Sequence, residues 1–96
     1  MELEGKVALV TGAGSNLGKV YAYALAKQGA AVVIGDLDGP LAKACAAEIA
    51  AETGVRTLGL EMDMGNEDHI ESAVKATIDT FGRVDILVNN AGLARG

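Results

Sequence analysis

Four short apolar runs punctuate the chain: Val7-Ala8-Leu9-Val10, Ala31-Val32-Val33-Ile34, Val55-Arg56-Thr57-Leu58-Gly59-Leu60 and Val84-Asp85-Ile86-Leu87-Val88. Three of them are nearly continuous in hydrophobicity, as strands covered on both faces of a parallel sheet are, and the third alternates more, as an edge strand does. Between the runs, apolar residues recur at spacings of three and four, the period of a helix. Leu17, Tyr21, Ala24, Leu25 and Gln28 predict one helical stripe that Gly29 closes. Pro40 in a first-turn position, followed by Leu41, Cys45 and Ile49 on one face, predicts a second helix stopping at Gly54. Ile70, Ala73, Val74, Thr77, Ile78 and Phe81 predict a third, with Asn66 as its N-cap and Gly82 as its stop.

The order β-α-β-α-β-α-β predicts an α/β protein with a doubly wound parallel sheet. Right-handed crossovers then fix the faces. If the second and third strands add outward on one side of the first, their two helices share a sheet face. The fourth strand returns to the other side of the first, giving the order 3-2-1-4, and its helix covers the opposite face. That reversal opens a crevice at the carboxyl ends of the strands, where such sheets bind ligands. It also leaves the fourth strand with an open edge, so the sheet is expected to be incomplete and the isolated chain poorly stable.

Composition narrows this further. The chain has 96 residues, room for one small domain, with 17 Ala, 13 Gly and only three aromatic residues, so its core must be filled by Val, Ile, Leu and Ala. A single Cys cannot form an internal disulfide, and the charged residues are too interspersed for a disordered tail. The apolar runs are far shorter than a membrane span, and no charged-then-apolar leader opens the chain, which predicts a cytoplasmic setting. A net charge of −5 offers no attraction to nucleic acid or an anionic membrane.

The candidate chemistry sits at the strand ends. Thr11-Gly12-Ala13-Gly14-Ser15-Asn16-Leu17-Gly18 joins the first strand to the first helix. Its glycines let the backbone turn tightly and approach a pyrophosphate, whose charge the helix N-terminus stabilises. Asp36 closes the second strand, eighteen residues beyond Gly18. A carboxylate at about this distance accepts the hydroxyl hydrogens of an adenosine ribose and repels a 2′-phosphate, favouring NAD over NADP. Asp63, beside Met64 after the third strand, is placed to bond an adenine amino group, or simply to form a turn. Asn89-Asn90-Ala91-Gly92 follows the fourth strand; its amides can tie neighbouring strands together, while its small residues leave room for a flat cofactor.

In this order and on this alternation, Thr11 to Gly18, Asp36, Asp63-Met64 and Asn89 to Gly92 resemble the N-terminal half of the short-chain dehydrogenase/reductase family, with its Rossmann fold. The resemblance spans essentially all of residues 1–96, read as the N-terminal part of one dinucleotide-binding domain. It implies NAD contacts by Gly12, Ser15, Asn16, Leu17 and Gly18 at the pyrophosphate, Asp36 and Leu37 at the adenosine, Asp63 and Met64 at adenine, and Asn90 with Gly92 by the ribose. One departure stands out: Asn16 occupies a position where the family usually has Gly, with an additional Gly at Gly14. Asn is the residue other than Gly that best tolerates a left-handed backbone.

The resemblance also implies hydride transfer between nicotinamide and an alcohol or carbonyl substrate, carried out with a Ser and a Tyr-x-x-x-Lys pair, in a complete protein expected to be a homo-oligomer. Tyr23 and Lys27 match that spacing but lie in the first helix, ahead of the family's catalytic segment. The chain alone is therefore expected to be inactive and to contribute no catalytic residue. His69 is expected to be a solvated helix residue, Cys45 a small packing residue, and no Cys/His spacing suggests a metal. Two other readings remain open: a fragment of an S-adenosylmethionine-dependent methyltransferase, which shares a Gly-rich loop and an acid after the second strand, or a non-catalytic nucleotide-binding module.

Overall fold

A computed structural model describes residues 2–12, 16–63 and 65–89, and of Asn16 the backbone alone. The elements run β1 (Val7–Thr11), α1 (Asn16–Lys27), β2 (Ala31–Asp36), α2 (Gly39–Thr53), β3 (Thr57–Glu61), α3 (Glu67–Phe81) and β4 (Ile86–Asn89). All pairings are parallel and the strand order is β3-β2-β1-β4. The sheet is the one the alternation and handedness predict, a Rossmann-like α/β fold.

Strand alternation sorts the core into two layers. Val10, Val32 and Ile34 point to one face, where they pack with Ala22 and Ala26 of α1 and with Ala42, Cys45, Ala46 and Ile49 of α2. Leu9 and Val33 point to the other, against Met62 and Ala73, with Ile70, Val74 and Phe81 of α3 packed around them. One helix pair and one single helix therefore cover opposite faces. Each fully buried Leu or Ile stabilises this arrangement by roughly 1.5–3 kcal/mol before entropy is counted.

The helices end where local chemistry stops them. Asp38 caps α2 by accepting the Leu41 N–H at 3.0 Å, and Pro40 occupies its first turn. Asn66 caps α3, its Oδ1 accepting the amides of Asp68 (2.9 Å) and His69 (3.4 Å). Gly54 and Gly82 close α2 and α3 in the left-handed region at φ 78° and 86°.

The buried face of α1 differs from expectation: its line is Gly18, Ala22 and Ala26, while Leu17 (50% exposed), Val20 (61%) and Tyr21 point outward. In α2 Cys45 and Ile49 are buried as expected, together with Ala42 and Ala46, and Leu41 alone of the expected stripe is exposed. In α1 the smallest side chains take the buried positions, so its largest apolar residues do not mark the buried face. In α3, Ala73 and Thr77 are buried as expected, whereas Ile78 is exposed.

The strand β4 begins at Ile86 rather than Val84 because Asp85 is occupied otherwise. Its carboxylate accepts the Val7 N–H at 2.8 Å and a bidentate contact from Arg83 at 2.7–3.0 Å, while its own N–H donates to Val7 O. This clamp pins the start of β4 to the start of β1. Arg83, then the Val7 amide, holds the Asp85 carboxyl below its ordinary value. A depressed carboxyl stabilises the fold above its unfolded-state pKa and loses that contribution as pH falls through the folded value. Asp85→Ala should therefore lower the urea midpoint by a constant amount at neutral pH, with the gap to wild type closing under acid conditions. A pH-independent gap would show that the carboxylate charge is not the stabilising element.

Candidate functional site

The carboxyl ends of β1, β2 and β3 converge on one rim of the sheet. Gly12 ends β1 with φ 69°, a left-handed conformation that glycine adopts without penalty, and its N–H donates to Gly35 O at 2.8 Å. The chain then enters α1, whose first turn holds Gly18 buried and Leu17 half exposed. A missing side chain at Gly18 lets that turn sit close above the sheet.

Asp36 is the last residue of β2 and is partly buried. Its Oδ1 accepts the Asp38 N–H at 3.0 Å, which fixes the carboxylate at the rim. An ionised carboxylate offers about four lone-pair sites, so that bond and two hydroxyl donors are compatible. Beside it Leu37 is 71% exposed, an apolar shelf at the edge of the crevice. The next turn is joined directly to this one, because Met62 N–H donates to Asp36 O at 2.8 Å. Asp63 follows, exposed, with its Oδ1 accepting the Gly65 N–H at 2.9 Å. The structure thus brings Gly12, Asp36, Leu37 and Asp63 to one end of the sheet. Ser15, Met64, Asn90 and Gly92 lie outside the described residues, as does the side chain of Asn16.

On the far side of β1, the Thr11 hydroxyl lies 3.2 Å from Val88 O and 3.3 Å from Asn89 Oδ1, tying the ends of β1 and β4 together. Sequence reasoning placed an amide tie here but not its partner. Thr11 is 1% exposed, and a buried hydroxyl requires a hydrogen-bond partner. His69 is exposed, as expected of a solvated helix residue, and in addition its Nδ1 accepts the Asp63 N–H at 2.9 Å. The missed signal is its place three residues after the Asn66 cap, where side chains reach back over the preceding loop.

The look-alike pair behaves as a structural one. Burial, then Glu52 and Glu48, pushes the Tyr23 phenol up to about 12, opposite to what a general acid/base at neutral pH requires. Tyr23 packs against the core and sits near the Lys19–Glu48 ion pair of 2.9 Å that bridges α1 and α2. Cys45 is buried, and burial raises its thiol, which suits packing rather than nucleophilic chemistry. Among the described residues, no group of three or more His, Cys, Asp or Glu side chains is arranged to hold a metal ion, and no helix is long and apolar enough to cross a membrane.

The family model for short chain dehydrogenases matches residues 6–96. The chain belongs to this family. It is 50% identical over 95 residues, 99% of its own length, to a (hydroxy(phenyl)methyl)succinyl-CoA dehydrogenase subunit of Thauera aromatica, of which it covers 38%. It is 42% identical over 95 residues to a 3-oxoacyl-acyl-carrier-protein reductase of Aquifex aeolicus, again covering 99% of itself and 38% of the relative. A hydroxysteroid dehydrogenase structure from Escherichia coli superposes on 92% of the chain with a TM-score of 0.86 at 35% identity, the chain covering 37% of that protein. The chain thus spans less than two-fifths of the length of each of these relatives. These three relatives are dehydrogenases or reductases by name, and none of them is a methyltransferase.

Proposed function

We propose that residues 1–96 form the N-terminal part of a dinucleotide-binding domain that holds NAD for an oxidoreductase acting on an alcohol or carbonyl substrate. The observation that carries this is Asp36: a tethered carboxylate ending β2, next to the glycine turn of β1 and beside the exposed Leu37. The rim fits such a ligand on its own geometry. Gly12 and the buried Gly18 allow close approach at the helix N-terminus, where a pyrophosphate is favoured. The Asp36 carboxylate suits a ribose diol and disfavours a 2′-phosphate, and Leu37 with the Asp63 turn would flank the adenine.

When bound, the nicotinamide supplies the hydride chemistry. This chain's residues supply position: Gly12, Ser15, Asn16, Leu17 and Gly18 at the phosphates, Asp36 and Leu37 at the adenosine, Asp63 and Met64 at its base, Asn90 and Gly92 toward the second ribose. Tyr23, with its raised phenol, is unsuited to proton transfer at neutral pH. The direct test is calorimetric titration of the purified protein with NADH, NADPH and S-adenosylmethionine. NADH should bind most tightly and S-adenosylmethionine not measurably; the reverse order would overturn the reading.

A further inference from the structure

Among the described residues, one side chain holds the turn after β3 from outside. Two of the turn's amides bond back onto it: Asn66 N–H donates to Asp63 O at 3.0 Å and Gly65 N–H to Asp63 Oδ1 at 2.9 Å. The Asp63 N–H donates at 2.9 Å to His69 Nδ1. That bond requires a neutral ring with Nδ1 unprotonated, because an imidazolium has two donors and no acceptor. The same segment continues into Met62, buried in the core, whose N–H holds Asp36 O at 2.8 Å. His69 is therefore two short links from the backbone of the acid that reads the ribose.

We propose that His69 is a positioning residue for the adenosine half of the cofactor. Its neutral Nδ1 fixes the Asp63 turn against the start of α3, and protonation removes that restraint and weakens binding. This rests on the NAD reading of Asp36 and Asp63. The titratable groups near His69 in the cleft or in sequence are carboxylates: Glu61 of β3 lines the same cleft, and Asp63, Glu67, Asp68 and Glu71 neighbour it along the chain. His69 is the only histidine of the 96 residues, so an imidazole step in their pH response has a single source.

The experiment measures dissociation constants for NADH and ADP-ribose, which lacks the nicotinamide, from about pH 5 to about pH 8. Wild type, His69→Asn, His69→Leu and Asp36→Ala are compared, with urea midpoints for each. The Asn amide oxygen lies as far along the side chain as Nδ1, accepts a hydrogen bond and does not titrate. Wild-type affinity for both ligands should fall about 2- to 10-fold as pH drops, the worth of one exposed hydrogen bond. His69→Asn should hold the high-pH affinity throughout, and His69→Leu should show the low-pH affinity throughout. Wild-type binding that is flat with pH, or a Leu variant with wild-type affinity and profile, overturns the proposal while a weakened Asp36→Ala leaves the NAD reading intact. If Asp36→Ala also binds normally, the NAD reading fails and this proposal with it.

Discussion

Asp36→Ala is expected to weaken NADH binding by about 10- to 100-fold while changing NADPH binding far less. The asymmetry follows from what the carboxylate does in each case. Toward NADH it accepts hydrogen bonds from the ribose hydroxyls, and a bond to a charged group is worth about 1.5–3 kcal/mol, so the net loss of one such bond accounts for the range. Toward NADPH the same charge faces a phosphate dianion, and its removal relieves a repulsion that offsets the lost bond. Calorimetry or fluorescence titration with both nucleotides reads the ratio directly. Equal loss for both would mean that Asp36 supports the turn, through its 3.0 Å bond from the Asp38 amide, rather than the ligand. Asp36→Asn separates these roles further, since the amide oxygen can still accept from Asp38 but carries no charge.

The fold was legible because its signals are redundant. Nearly continuous strands, three helix stops at Gly29, Gly54 and Gly82, and the Asn66 cap all point to the same alternation, and crossover handedness leaves one arrangement of faces. What was not legible was the buried face of α1. Periodicity weights large residues, so it selected Leu17 and Tyr21 there, and Leu41 beside the correctly placed Cys45 and Ile49 in α2, whereas Gly18, Ala22, Ala26, Ala42 and Ala46 are buried. A helix packed at short range shows its contact face as an absence of bulk, and an alanine-rich sequence has small residues on every side.

The site divides in the same way. Asp36, Gly12 and Asp63 were singled out by their place at strand ends, which is where the structure puts them, and a strand end is a position sequence can mark. The bonds of Thr11 and His69 depend on partners away in sequence: Thr11 reaches Asn89 across 78 residues, and His69 reaches back to an amide six residues earlier. No local pattern specifies the first, and only the cap spacing hints at the second. They arise because parallel strands β1 and β4 are adjacent and because an N-cap fixes where the third residue of a helix points.

Close packing also makes Gly59 a position at which a single methyl group should be costly. By strand propensity a larger residue in the middle of β3 would be an improvement, on a scale that spans only about 1 kcal/mol. The structure reverses that sign. A Cβ at Gly59 would stand 2.6 Å from the Lys43 Cα and 2.7 Å from the Ala42 carbonyl oxygen, atoms of the α2 backbone that cannot rotate away. Either the helix lifts from the sheet, opening the layer built on Ala42, Cys45, Ala46 and Ile49, or β3 slips from its register with β2. Overpacking of this kind costs about 1–3 kcal/mol where side chains can adjust, and a contact between two backbones belongs at or above the top of that range. Gly59→Ala should therefore lower the urea midpoint by an amount equivalent to about 3 kcal/mol. Gly82→Ala is the control: its φ of 86° makes the substitution strained, but a Cβ there meets nothing within 4 Å, so only the backbone cost of about 1–2 kcal/mol applies. A Gly59→Ala variant more stable than Gly82→Ala would show that α2 can move off β3 at little cost, and the close helix-to-sheet approach would then be incidental rather than what holds this edge of the sheet.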